Sequence, residues 1–194
     1  MFDISSWVTA FHQAHNQYSN QSASMTVFPT QALPAWQCVC TWQMTISEMK
    51  ARGVEGQSNC YVIALDEQGE PLRASDLALY YIRHGWEGMR PDEVTDPAPF
   101  EKQWPEPPGN IPLFHGATYW LEIGAKNNDV MSDRVYGITA TNPSDSDPNG
   151  HHVSVVVFQR RGLAETEPQD SGDVVVKRAD LLQIRALIEK YLGG

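Results

Sequence analysis

The stretch Asn59 to Leu72, NCYVIALDEQGEPL, decides the fold class. Cys60 to Leu65 is an unbroken apolar run of strand length that holds β-branched and aromatic residues. Asp66 to Gly69 follows as turn chemistry, because Asp hydrogen-bonds the backbone just downstream of itself and Gly tolerates a positive φ. Pro71 sits well only at the start or the edge of a strand. The expected local structure is a strand, a tight turn and the approach to a second strand.

Reading outward, Leu77 to His84 (LALYYIRH) predicts that second strand, followed by a turn at Gly85-Trp86-Glu87-Gly88. Further downstream, Ala117 to Ile123, Arg134 to Ala140 and Val153 to Arg160 predict three more strands, separated by Gly, Asn, Asp and Pro clusters. Upstream, Trp36, Cys38, Cys40 and Trp42 alternate with Gln37, Val39, Thr41 and Gln43, a period of two that places the first four on one face. Ser47 to Val54 reads either as a helical turn or as a loop. Short strands with turn signals between them, and no intervening ten-residue helices, predict a mainly β protein built as an antiparallel β-sandwich.

Met89 to Pro112 interrupts this pattern with Pro91, Pro97, Pro99, Pro105, Pro107, Pro108 and Pro112. So many prolines exclude a helix and a central strand, since each removes a backbone donor and fixes φ. A loop this long is usually functional or disordered, and its aromatic residues favour order across the sheet. Trp86, Phe100 and Trp104 are the candidate ligand surface. With Glu87, Asp92, Glu93, Asp96, Glu101 and Glu106 nearby, the composition suits a sugar held by stacking and by carboxylate hydrogen bonds. The same carboxylates admit glycoside hydrolysis as a minor alternative.

The flanks differ from this centre. Between Met1 and Ser47 the one formally charged residue is Asp3. Within that stretch Ile4, Trp7, Phe11 and Tyr18 recur at helical spacing, and Ser19 to Pro34 reads as an extended connector. At the other end Leu181, Ile184, Leu187, Ile188 and Tyr191 form an apolar stripe on a helix from Asp180 to Leu192. A helix of that length is marginal alone in water and must dock or self-associate. The expected organisation is an N-terminal helix and arm over 1–34, the sandwich over 35–162, and a linker with an amphipathic helix over 163–194. Leu181, Ile184, Leu187, Ile188 and Tyr191, joined by Trp7 and Phe11, are the candidate oligomer interface.

Composition bounds the remainder. The chain has 194 residues and a net charge of -10, with 24 acidic against 14 basic residues. Unclustered cations in an acidic chain disfavour nucleic acid and anionic membrane as partners. No secretory leader is expected from the first residues, which lack a basic and then apolar opening. Cys38, Cys40 and Cys60 are an odd set without Cys-x-x-Cys spacing, so they read as small buried hydrophobes. Asp145, Asp147, Asn149 and Gly150 copy the opening of a calcium loop, but Val156 stands where its closing carboxylate belongs, so a polar turn is expected and no metal. His151 and His152 are adjacent and point to opposite faces, one of them a candidate buried histidine. No nucleophile elbow, phosphate loop, dinucleotide fingerprint or zinc-helix motif occurs, so no catalytic residue and no cofactor is expected.

The strand, Asp-x-x-Gly-x-Pro turn and strand of Tyr61 to Gly88, with the aromatic strand Gly116 to Gly124, resembles immunoglobulin-like and prealbumin-like accessory domains of the carboxypeptidase-regulatory type. Such modules recur in phage virion proteins and as appendages of cell-wall hydrolases. The resemblance spans Trp36 to Arg160 and implies a scaffolding or binding role. The expected function is a non-enzymatic virion component, decorating a capsid or joined to a tail, that forms a homo-oligomer and assembles with other virion or scaffold proteins. The alternative is a carbohydrate-binding module for a cell-surface glycan.

Overall fold

In a computed structural model the described residues are 25–28, 35–89, 94–103, 106–126, 129–143, 145–147 and 150–161. The chain divides into two compact units, Met1–Gly162 and Leu163–Gly194, and every described element belongs to the first. The expected helices at both ends, with Trp7, Phe11, Leu181, Ile184, Leu187, Ile188 and Tyr191, lie outside the described residues, as does Trp104.

Among the described residues nine strands form two sheets. They are β1 (Thr26–Phe28), β2 (Trp36–Gln43), β3 (Asn59–Leu65), β4 (Tyr80–Trp86), β5 (Ala98–Pro99), β6 (Gly109–Pro112), β7 (Thr118–Ala125), β8 (Arg134–Thr139) and β9 (Ser154–Arg160). The larger sheet runs β1-β8-β7-β4-β5 and is antiparallel throughout. The smaller runs β2-β9-β3-β6.

The smaller sheet corrects the all-antiparallel expectation, because β3 and β9 pair in parallel, Cys60 opposite Ser154 through Leu65 opposite Gln159. Both strands are buried over almost their whole length, as strands covered on both faces are, and such strands read as unbroken apolar runs.

The sheets share one core. Cys60, Val62 and Ala64 of β3 and Val156 and Phe158 of β9 meet Ile82 of β4, Leu121 and Ile123 of β7 and Val135 of β8. The indole of Trp36 is buried in the same core, edge-on to Tyr80 at 5.4 Å, with the Arg160 guanidinium 5.2 Å from its ring centre.

The opposite face of the smaller sheet packs Ile63, Leu65, Val155 and Val157 with Met44, Met49 and Val54. Met49 belongs to helix α1 (Ile46–Arg52). That helix resolves the ambiguity over Ser47 to Val54, and its cause is a capping box. The Thr45 hydroxyl accepts from the Glu48 N–H, and the Glu48 carboxylate accepts from the Thr45 N–H at 2.8 Å. Gly53, in the left-handed region at φ 67°, closes the other end.

Three local readings change. The alternation of β2 is broken by a register shift between Cys38 and Cys40. Trp36 and Cys38 therefore face the shared core, while Cys40 and Trp42 join the cluster on the other face. The connector before Pro34 contains β1, which pairs with β8. The proline-rich segment is a strap between sheets: β5 lies at one edge of the larger and β6 at one edge of the smaller. Both are short edge strands, the places where proline is tolerated. Between them Phe100 is 6% exposed and packs in the shared core, so it is not part of a ligand surface.

The Asp66 turn forms as read, with the Asp66 carboxylate accepting from the Gln68 and Glu70 N–H groups at 2.9 and 2.8 Å. The strands on either side of it, β3 and β4, belong to different sheets.

Candidate binding cleft on the larger sheet

Strand β7 positions the site. Its residues Tyr119, Leu121 and Ile123 point into the shared core, so Thr118, Trp120, Glu122 and Gly124 lie on the outer face. Cross-strand pairing sets Glu122 beside Arg83, and Trp120 beside both Gly85 and Tyr136. The strand thus places a carboxylate next to a cation and an indole next to a phenol.

The carboxylate of Glu122 is fully buried. It accepts from Arg134 Nε at 2.7 Å and Arg134 Nη2 at 2.9 Å, a bidentate pair, and Arg83 Nη1 lies 3.0 Å from Oε1. Each arginine side chain is 13% exposed. Burial works against the charge of Arg134, but hydrogen bonds to Glu122 and Tyr136 more than offset it, so its pKa lies above the ordinary value. Its guanidinium also stands 4.4 Å from the Trp120 ring centre, and its Nη1 donates to the Tyr136 hydroxyl at 3.3 Å. Phe28 on β1 meets the Tyr136 ring edge-on at 5.3 Å and is 51% exposed.

Beside this layer opens a cleft of about 350 Å³, lined among others by Trp86, Glu87, Met89, Thr118, Trp120 and Tyr136. Two glycines shape it. A Cβ on Gly85 would lie 2.7 Å from Trp120 Nε1, so the bare backbone lets the indole lie flat across β4. Gly137, at φ 79°, is the extra residue where the β7–β8 register shifts, and it lines the cleft as well. Trp86 is 44% exposed and offers an apolar ring. Glu87, Thr118 and Tyr136 supply a carboxylate and two hydroxyls. An aromatic surface among a few polar groups is the usual form of a small-ligand site.

Of the three residues expected at a ligand surface, Trp86 lines this cleft, Phe100 is buried and Trp104 lies outside the described residues. Sequence reasoning missed Arg83, Trp120, Glu122, Arg134 and Tyr136. Their signal was present as the second face of each alternating strand: a tryptophan and a glutamate in Thr118 to Gly124, and an arginine and a tyrosine in Arg134 to Ile138.

The other sequence candidates have structural roles. His152 is buried; its Nε2 lies 2.9 Å from Asp145 Oδ2 and its Nδ1 2.9 Å from the Gly150 carbonyl oxygen. Asp145 also accepts from the Ile46 N–H at the start of α1 and from the Ser146 N–H. The Ile46 bond first, then His152, hold its carboxyl down to about 2. The first oxygen ligand of the calcium-like sequence is thus committed to tying a loop to a helix. Among the described residues no group of three or more His, Cys, Asp or Glu could hold a metal.

His151 is exposed, shares a hydrogen bond with Ser58, and meets His115 edge-on at 4.5 Å. Among the described residues no carboxylate bonds its ring. Burial pushes the Cys40 thiol up to about 11 and the thiols of Cys38 and Cys60 higher still, which makes them inert packing groups.

Comparisons with protein-family models, curated proteins and solved structures give no match.

Proposed function

We propose that the chain is a non-enzymatic binding protein whose immunoglobulin-like or prealbumin-like sandwich recognises a surface glycan through the cleft beside Trp86. The observation that carries this reading is the half-open Trp86 ring set among Glu87, Thr118 and Tyr136. A sugar presents C–H groups to an aromatic face and hydroxyls to its rim, which is the pairing the cleft offers. The charge of -10 turns nucleic acid and anionic lipid away, and it has no such effect on a neutral sugar. The test is a glycan array followed by titration calorimetry on the wild-type chain and on Trp86→Ala. Binding that falls at least tenfold in the variant supports the reading, and binding that is unchanged refutes it.

A second reading concerns where such a protein works. The nearly uncharged stretch from Met1 to Ser47 and the stripe of Leu181, Ile184, Leu187, Ile188 and Tyr191 favour burial against other subunits. They support a homo-oligomeric phage virion component that decorates a capsid or joins a tail. Light scattering on the full chain beside a truncation ending at Gly172 tests it, with Ile184→Asp as a point variant. A defined oligomer that falls to monomer in both supports the assembly role, and a monomeric full chain removes it.

A further inference from the structure

We propose that His115 and His151 form a surface site for a divalent transition-metal ion of tetragonal geometry, Cu2+ before Ni2+. Neither histidine lines the cleft beside Trp86, so the site stands apart from the glycan reading. It lies where three loops meet at one end of the smaller sheet: Ser58 leads into β3, His115 follows β6 and His151 leads into β9. The Leu113 N–H donates to the Ser58 carbonyl at 2.7 Å, which ties the first two loops together.

Both histidines are exposed. His151 Nδ1 is hydrogen-bonded to Ser58 Oγ. When that nitrogen donates, the lone pair stands on Nε2, the arrangement of a histidine that holds a metal through one nitrogen and is oriented through the other. Among the described residues no hydrogen bond occupies the His115 ring. The two ring centres lie 4.5 Å apart with their planes at 87°. An ion about 2.0–2.1 Å from each nitrogen stands about 3.2 Å from each ring centre, so imidazoles at right angles around it have centres about 4.5 Å apart, against about 5.2 Å at the tetrahedral angle. The observed spacing is that of neighbouring positions on a tetragonal ion, the geometry of Cu2+ and Ni2+, and exposed side chains have room to turn their open nitrogens to it. The charge of -10 draws a dication toward the chain.

The experiment is titration calorimetry of the full chain with Cu2+, Ni2+ and Zn2+, with pulsed electron paramagnetic resonance on the Cu2+ sample to count bound imidazoles. His115→Ala and His151→Ala probe the site, and a variant carrying both His12→Ala and His15→Ala removes the other closely spaced histidines of the sequence. Cu2+ should bind through two imidazoles, more tightly than Ni2+ or Zn2+, and should persist in the variant changed at His12 and His15. His115→Ala and His151→Ala should each weaken binding by at least about tenfold and leave one imidazole.

Fewer than two imidazoles on the Cu2+ of the wild-type chain, or an affinity that His115→Ala and His151→Ala leave unchanged, overturns the inference. So does an ion that is lost with His12 and His15 and kept in the other two variants. Tighter binding of Zn2+ than of Cu2+ overturns the tetragonal assignment. The imidazole count on the wild-type chain needs no substitution, so the outcome does not depend on any variant folding.

Discussion

Replacing Glu122 by Gln should be among the most damaging near-isosteric changes on the outer sheet face. The wild-type carboxylate receives contacts of 2.7, 2.9 and 3.0 Å from two guanidinium groups. The amide keeps one acceptor oxygen but turns its NH2 toward an arginine donor, and it leaves two cations with no counter-charge. Removing one member of a buried ion pair costs about 3–5 kcal/mol. The arginine heads retain slight solvent contact and one acceptor survives, which lowers the expected loss to about 2–3 kcal/mol.

For a chain of this size that corresponds to a melting shift of about 5–10 °C. Urea unfolding is the cleaner assay, because an unchanged slope with a lowered midpoint separates lost stability from a changed unfolded state. Arg83→Met should cost only about 1 kcal/mol, since it leaves the bidentate Arg134 pair intact. A Glu122→Gln loss below about 0.5 kcal/mol, or a larger loss for Arg83→Met than for Glu122→Gln, would refute the view that Glu122 organises this face.

Two further outcomes are expected. A Cβ on Gly109 would lie 2.5 Å from Ile82 Cδ1 and 2.9 Å from Phe100 Cδ1, both in the core; Gly109→Ala should cost about 1–3 kcal/mol by overpacking, read as a lowered urea midpoint. The Asp145 carboxyl is lowered to about 2 from its ordinary value of 3.8, so its bonds to Ile46 and His152 stabilise the fold above pH 4 and are lost as pH falls from about 4 toward 2. Asp145→Asn should be the less stable protein at pH 6, and its midpoint should decline less than the wild type's across that acid range.

The strands that alternate or run apolar for six or more residues were legible from sequence: β2, β3, β7 and β9 stand within a residue or two of where their patterns put them. Strand β1 was hidden because three residues in a Ser-, Thr- and Gln-rich stretch give no period, and their partner lies more than a hundred residues downstream. The bulge in β2 was equally silent, and it reverses the face of Cys40 and Trp42 relative to Trp36. Helix α1 carried its own signal in Thr45 and Glu48, two residues upstream and one downstream of Ser47, where the helix-or-loop segment of the sequence begins. Of the cleft, Trp86 stood out as an aromatic beside a turn, but it is the last residue of β4 and the turn begins only at Glu87. Trp120 and Tyr136 were missed although the alternation of their strands sets Trp120 with Glu122 and Tyr136 with Arg134 on one face, because alternation alone does not bring the two strands together.

The parallel pairing of β3 with β9 has a consequence for how the chain is made. Strand β9 sits between β2 and β3, which have no pairing with each other, so the smaller sheet is joined only when the last described strand arrives. Residue 60 must wait for residue 154 to leave the ribosome. Until then the apolar faces of β2 and β3 are uncovered during synthesis, and closing so long a loop before any contact rewards it makes for slow folding. Cells producing this protein therefore face a period of aggregation risk that ends only with the emergence of β9, and slower translation between β3 and β9 would lengthen that exposure.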